Sequence, residues 1–585
     1  MRALKYRNSI AVIILFFVNL SWFVKFKFQT IMGDDLFSLH AIQSGQESLL
    51  HYTLFSAPFG KYRPVFNFFQ YVTAKIFGTD LQLYIFFNII VNFIAVVLMF
   101  CLLLLLTRKT LYAFIFALIF VTCRFSYYNV LQIYGLMEAV ALILFLLMLL
   151  FCVYIYQNPK RINLYALLLL QTLLIFTHER YIVTVPFLFL LLMYIYKKKK
   201  WYYALWTITP VLLNVALKKI VIDITFLQGT GGAAIGFDFL QIVIFVGCGL
   251  LNMVGINVGA PYLNGINFPQ ESLMTQTLSV LISGIYLVLL IALIRQFLKS
   301  KLEHNKSFVI FGLGMVLMLS LLLAASITIR QEYRWLYAPY AVLLLLTAYV
   351  LPRLQLKNVV KYILLLLICI PVFKNDLYVR KFLDRVYFMD ALHIADSTYA
   401  SSIKQYGLNI RFKTIYIQND PALIWTLQGS TFFQVYAENP SLKVTYVDDL
   451  SAVDLAQTDL LLLKFNTTTR LMEDVTDFYI GSKHSTPVTI RPEDWAIPDS
   501  AYAQITASGE KLFYKIVTNF DKMKDISLVD QDRNVTYSLS DTAVNNESLS
   551  KLEPGKFAFY RIDNQMCLLW ISIPNNLKMG KTILQ

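Results

Sequence analysis

Twelve apolar runs punctuate the first 373 residues, at about 9–24, 83–106, 110–123, 136–156, 164–177, 181–196, 201–217, 239–256, 273–294, 307–329, 335–351 and 359–373. No water-soluble core accommodates such a series. A helix satisfies its own backbone hydrogen bonds and can offer apolar side chains to hydrocarbon, so the runs predict a polytopic α-helical membrane body. Several are shorter than the ~20 residues a full crossing takes. Composition agrees: 57% of the chain is hydrophobic, 15% is charged and the mean hydropathy is +0.59. These values exclude a soluble enzyme, a disordered chain and a coiled coil. Arg2, Lys5 and Arg7 precede the first run as in a signal peptide, but the small-residue cleavage pattern is missing, so Met1–Val24 is expected to remain as the first span. Five of the six cysteines lie in or beside apolar runs and Cys567 lies in the tail, which gives neither a disulfide framework nor paired zinc-ligand spacing.

Charge sets the orientation. Lys and Arg number 29 against 11 Asp and Glu through Phe373, and 22 against 25 from Lys374 onward, so the membrane part carries +18 and the tail −3. The basic excess gathers in short loops between apolar runs, which points to membrane orientation rather than nucleic acid. The clusters Arg2/Lys5/Arg7, Arg108/Lys109, Lys160/Arg161, Lys197–Lys200, Arg295/Lys299/Lys301/Lys306 and Arg353/Lys357/Lys361 all fall on the cytoplasmic side if 239–256 is interfacial or re-entrant. This predicts eleven spans, with a cytoplasmic N-terminus and an outer C-terminus. Acidic residues, not used to set that topology, fall on the outer side with the exception of Glu303. Carboxylate chemistry is therefore expected outside.

From Lys374 the composition becomes that of a soluble domain. Leu377–Tyr406 reads as largely helical, Lys413–Ile417, Lys443–Val447 and Asp459–Lys464 as strands, and Pro421–Gln428 as a helix, with a β-rich end after Thr486. The expected organisation is a membrane domain over 1–373 and an extracytoplasmic α/β domain over 374–585.

The first outer loop, 29–80, carries Gly33-Asp34-Asp35-Leu36, then His40 and Lys61-Tyr62-Arg63-Pro64. Adjacent carboxylates point different ways, so one can face a pocket while its neighbour caps a helix or binds a cation. A helix cap plus a solvated acid accounts for the pair equally well. The acidic pair just beyond the first span, the long aromatic-rich outer loop, about eleven spans and an outer C-terminal domain together resemble the GT-C superfamily of membrane glycosyltransferases, such as protein O-mannosyltransferases and the aminoarabinose transferases of lipid A. The resemblance covers 1–373 in architecture, and Asp34-Asp35 is its one motif match. It implies a sugar taken from a polyprenyl-phosphate carrier on the outer face of the plasma membrane, with Asp34 or Asp35 as catalytic base or acceptor-orienting carboxylate. The preference falls on Asp34, whose approach beside Gly33 is less crowded.

Two further constellations carry chemistry. Thr177-His178-Glu179-Arg180-Tyr181 joins two runs that share only 35 residues, 162–196, so its three ionisable groups are placed below the outer headgroups. Such groups at depth are costly unless they pair or line a wet cavity. Arg124, ending another short run, meets the same argument. A tilted or thinned boundary with snorkelling side chains is the bland alternative. Arg330-Gln331-Glu332-Tyr333-Arg334-Trp335 places arginines on the side that disfavours them; a phosphate is one reason for that, and a salt-bridged loop on lipid headgroups is another. A continuing helix puts Arg330 and Arg334 on one face. Lys218 and Lys219 are a further phosphate candidate or simply snorkel.

Transfer from such a carrier takes a base, cations for the leaving phosphate and shielding from water. The expected roles are Asp34 or Asp35 as base, Arg330, Arg334 and Arg63 or Lys218 on the phosphate, and His178 and Glu179 on acceptor or sugar hydroxyls, with Arg180 and Glu332 in the same site. No metal is expected, although members of the superfamily that use pyrophosphate carriers commonly need a divalent cation. The partners expected are a polyprenyl-phosphate-linked sugar, membrane lipids and an acceptor glycan, lipid or protein, with no nucleic acid. A transporter or flippase and a scaffold subunit of surface-polysaccharide assembly are the rivals. The first would keep its ionisable residues near mid-bilayer; the second would tolerate loss of both aspartates.

Overall fold

The computed structural model describes residues 2–45, 48–196, 200–223, 238–256, 258, 272–299, 306–327, 331–380, 387–454, 459–466 and 471–476, together with the strands of the C-terminal sheet. The chain divides into two compact units, Met1–Leu392 and His393–Gln585.

The first unit is a helical membrane body. Among the described residues, eight helices are long and apolar enough to cross a membrane: Tyr6–Phe23, Leu81–Thr107, Gly135–Gln157, Glu179–Tyr196, Trp201–Ile222, Leu273–Arg295, Phe308–Ser326 and Tyr333–Arg353. Thr110–Thr122 and Arg124–Leu131 make a ninth if counted as one span bent by 51°. The expected count of eleven also drew on 164–177, where the helix Arg161–Thr177 has only 17 residues, and on 359–373, which lies within the helix Asn358–Arg380. Phe239–Met253, set aside as interfacial or re-entrant, is a helix of 15 residues.

Leu81–Thr107 sits at the centre of the unit, packed by Arg2–Phe23, Thr110–Thr122, Gly135–Gln157 and Tyr337–Val350. Polar side chains inside this bundle bond to one another, as a hydrocarbon surround requires. Asn92 Nδ2 donates to Asn19 Oδ1 at 2.7 Å, Asn19 Nδ2 donates to the Ile89 carbonyl at 2.9 Å, and the Tyr337 hydroxyl donates to Asn92 Oδ1 at 3.3 Å. The three pin the first, central and Tyr337–Val350 helices together.

The second unit contains a four-stranded sheet in the order Val444–Val447, Thr414–Gln418, Leu460–Asn466, Leu471–Asp474, with the first three strands parallel and the last antiparallel. Leu460–Leu463 are all buried, the continuous apolar pattern of a strand covered on both faces. An eight-stranded sheet follows, built from Val488–Thr489, Tyr502–Ser508, Lys511–Val517, Ile526–Asp530, Val535–Asp541, Lys556–Arg561, Met566–Ser572 and Thr582–Leu584. Its pairings are antiparallel except between Lys556–Arg561 and Val535–Asp541. The α/β-then-β order is the one the strand signals predict.

Candidate functional site

Gly33 turns the chain into a helix, Gly33–Ser44, by adopting φ +58°, a left-handed conformation that costs glycine nothing. The turn puts Asp34 and Asp35 in the first helical turn, where exposed amides favour negative charge. The two acids then part. Asp34 is exposed, whereas Asp35 is buried. The Ile133 amide donates to Asp35 Oδ2 at 3.0 Å and the Tyr134 amide to Oδ1 at 2.7 Å. These amides lie at the N-terminus of Gly135–Gln157, so Asp35 caps that long helix from another segment. Asn88 holds the opposite side of the same turn, donating to the Val130 and Gln132 carbonyls at 3.3 and 2.9 Å. Burial pushes the Asp35 carboxyl up to about 7; the two amides and Arg334 oppose that rise, and Asp34 adds to it.

Three glutamate–arginine pairs lie around this clamp. Arg63, just before the helix Pro64–Phe77, grips Glu179 with both sides of its fork, Nε to Oε2 at 2.7 Å and Nη2 to Oε1 at 2.6 Å. Arg180 donates to Glu138, in the first turn of Gly135–Gln157, at 2.9 Å. Arg334 Nε lies 2.5 Å from Glu332 Oε2. His178 links two of the pairs. Its Nδ1 accepts the Arg180 amide at 3.2 Å, and its Nε2 lies 2.9 Å from Arg180 Nη2 and 3.5 Å from Glu138 Oε1. The helix Arg161–Thr177 reaches only ~25 Å at 1.5 Å per residue, so its end stops short of a ~30 Å hydrocarbon core and His178 begins a 3₁₀ turn there.

Aromatic faces join the pairs. The Arg180 guanidinium lies 4.8 Å from the Trp335 ring centroid and the Arg334 guanidinium 4.0 Å from that of Tyr128. Gly135 permits this crossing, because a Cβ there would overlap the Tyr128 carbonyl and come within 2.8 Å of Asn129 C. Asp35, Glu138 and Arg334 are thus neighbours, and the Arg334 charge acts on both acids.

Not every expected residue keeps its expected surroundings. The chain does not continue as a helix into Arg334: Glu332 is extended, at φ −124° and ψ 149°, and a 3₁₀ turn, Tyr333–Leu336, follows. Arg330 lies outside the described residues. Arg63 is engaged by Glu179 rather than standing open toward a phosphate. Lys218 is buried within the field of Glu179 and Arg63, while Lys219 points outward and pairs with Asp223. Sequence reasoning singled out Arg63, His178, Glu179, Arg180, Glu332 and Arg334, but the pairing of Glu138 with Arg180, the backbone clamp by Asp35 and Asn88 and the stacking of Tyr128 had no local signal. Among the described residues no three His, Cys, Asp or Glu side chains are grouped to hold a metal.

No protein-family model matches the chain, and no curated protein matches its sequence. Among solved structures it is similar to the Archaeoglobus fulgidus oligosaccharyltransferase tethered to an acceptor peptide with an NVT sequon, at 12% identity and TM-score 0.41 over 75% of this chain and 64% of that one. It is similar also to the archaeal oligosaccharyltransferase AglB of Archaeoglobus fulgidus in complex with an inhibitory peptide and a dolichol-phosphate, at 11% identity and TM-score 0.41 over 74% of this chain and 64% of that one. The chain therefore spans less than two thirds of the length of either. A likeness at this level assigns no function, which rests on the side chains.

Proposed function

We propose that the protein is a GT-C-type membrane glycosyltransferase, which transfers a sugar from a polyprenyl-phosphate carrier to an acceptor hydroxyl on the outer face of the plasma membrane. Eleven spans, a cytoplasmic N-terminus and an outer C-terminal domain belong to the same reading. The observation that carries it is the convergence of an exposed carboxylate at Asp34, the Arg334 segment and the Glu138–Arg180–His178–Glu179–Arg63 network. These come from distant parts of the chain and meet where membrane helices break or stop short.

Asp34 takes the proton of the acceptor hydroxyl. The hydroxyl oxygen attacks the anomeric carbon, the bond from that carbon to the phosphate oxygen breaks, and polyprenyl phosphate leaves with the electron pair. Arg334 and Lys218 receive the phosphate charge, as preorganised cations in a water-poor site do effectively. His178 and Trp335 line the sugar, the ring by hydrogen bonding and the indole by stacking. Arg63 and Arg180 hold Glu179 and Glu138 in place and are positioning residues. A transporter is disfavoured by where the ionisable groups gather, at the ends of Thr110–Thr122 and Arg161–Thr177 and the start of Gly135–Gln157 rather than along helix middles.

The test uses purified full-length protein in nanodiscs, supplied with a lipid extract of its native membrane, and follows polyprenyl phosphate release. Asp34→Asn is expected to lower release ~10²–10⁴-fold, the range for losing a general base, while undecaprenyl phosphate still binds. Full release from a folded Asp34→Asn protein would remove the assignment.

A further inference from the structure

Arg124 is buried at the break between Thr110–Thr122 and the short helix Tyr127–Leu131, and the proposed chemistry leaves it without a task. Its surroundings give it three separate attachments. Its Nη2 donates to the carbonyl of Asn252, in the last turn of Phe239–Met253, where a cation also meets the negative end of the helix dipole. Its guanidinium lies 5.2 Å from the ring centroid of Tyr333, the residue between Glu332 and Arg334. Its backbone amide and charge face the buried Asp376 of Asn358–Arg380.

The segment Gln331–Leu336 and the helix Phe239–Met253 touch independently as well. Gln331 Nε2 donates to the Phe245 carbonyl at 2.9 Å, and Asn252 Nδ2 closes the end of the helix onto the Cys248 and Val258 carbonyls at 2.8 and 2.7 Å. The helix is therefore held at one point by the site segment and at its end by Arg124, which also holds the site segment through Tyr333.

We propose that Arg124 is a positioning residue that fixes the Tyr333–Arg334 turn against the end of Phe239–Met253, and so sets where the Arg334 guanidinium meets the carrier phosphate. This rests on the glycosyl-transfer reading for its last step only. The attachments are of two kinds. The bond to Asn252 and the charge opposite Asp376 need a cation with an N–H, which lysine also supplies, whereas stacking over Tyr333 suits the planar guanidinium. Arg124→Lys therefore keeps part of the function and Arg124→Gln loses it.

The experiment uses full-length protein in nanodiscs and two readouts, amide hydrogen exchange and undecaprenyl phosphate affinity. Arg124→Gln is expected to speed exchange in both 239–253 and 331–336, to weaken undecaprenyl phosphate about tenfold, the size of one ~1.4 kcal/mol interaction, and to raise KM for the lipid donor by a similar factor with kcat little changed. Arg124→Lys is expected to recover most of the affinity. Unchanged exchange across 331–336 in Arg124→Gln, or an Arg124→Lys protein no better than Arg124→Gln, overturns the proposal. Should Arg124→Gln fail to assemble, Tyr333→Leu decides: faster exchange in 331–336 with 239–253 unaffected supports it, and no change in 331–336 overturns it. Wild-type protein that binds no undecaprenyl phosphate defeats the glycosyl-transfer reading instead, and the exchange results still judge Arg124.

Discussion

The membrane body and the C-terminal unit both contain carboxylate–cation pairs, and the pairs differ in where they stand. In the C-terminal unit Arg411 Nη2 meets Glu438 at 2.8 Å and Lys413 lies 3.8 Å from Asp459, with the Glu438 side chain 80% exposed and that of Asp459 61%. In the membrane body the side chains of Glu138 and Glu332 are 3% and 7% exposed. Exposed pairs gain little because water already solvates both partners. Buried pairs cost several kcal/mol per ion to desolvate, so a membrane protein keeps them where a function requires charge. The comparison teaches that Glu138 and Glu332 of the membrane body are kept paired and buried where charge is costly, while Glu438 of the C-terminal unit stands on a surface.

Breaking a buried pair tests this hardest after Asp34 itself. Glu138→Gln strands Arg180 and is expected to cost ~3–5 kcal/mol, the range for an uncompensated buried charge. Thermal unfolding in nanodiscs measures it, and a loss under ~1 kcal/mol would place Glu138 with the surface glutamates. Gly135→Ala forces its new methyl onto the Tyr128 carbonyl. A loss of ~1–3 kcal/mol is expected, as for overpacking, together with weaker undecaprenyl phosphate binding, because Tyr128 carries Arg334.

Asp35 supplies a pH test. Its folded carboxyl titrates at about 7 against an ordinary 3.8, with burial the main cause. The folded protein therefore holds a proton that the unfolded chain releases, so this contribution to stability is fully present below the ordinary value and is lost as pH climbs toward 7. Asp35→Asn is expected to remove that slope. It also offers one acceptor oxygen to two amides and leaves the other unsatisfied, at ~1–3 kcal/mol. Unfolding midpoints measured between pH 4 and 8 check both parts. Glu438→Ala is the smallest effect, expected under ~1 kcal/mol by thermal unfolding; a larger loss would erase the contrast between the two regions.

Much of the fold was legible because hydrocarbon and sheet impose periodic patterns on a chain. The long runs at 83–106 and 136–156 became the helices Leu81–Thr107 and Gly135–Gln157, and the apolar stretch at Leu460–Leu463 became a central strand. Short runs were less legible. Thr110–Thr122 reads as a span by composition, yet the helix breaks at Arg124, a buried arginine that bonds sideways to the Asn252 carbonyl. The candidate site was legible as residue types in unfavoured places, such as arginines on what the basic loops mark as the outer side and three ionisable groups between two short apolar runs. Pairing was not, since nothing local joins Arg63 to Glu179 across 116 positions or Asp35 to the Tyr134 amide across 99.

By itself the sequence determined that the chain is a helical membrane body followed by an α/β and β-rich region, because burial of apolar surface and the alternation of basic loops are properties of short stretches. Only the tertiary structure decided which of two adjacent aspartates faces outward and which caps a distant helix, and which glutamate each arginine takes. Side-chain direction and charge pairing depend on what packs opposite, and that is settled only when distant segments close on one another.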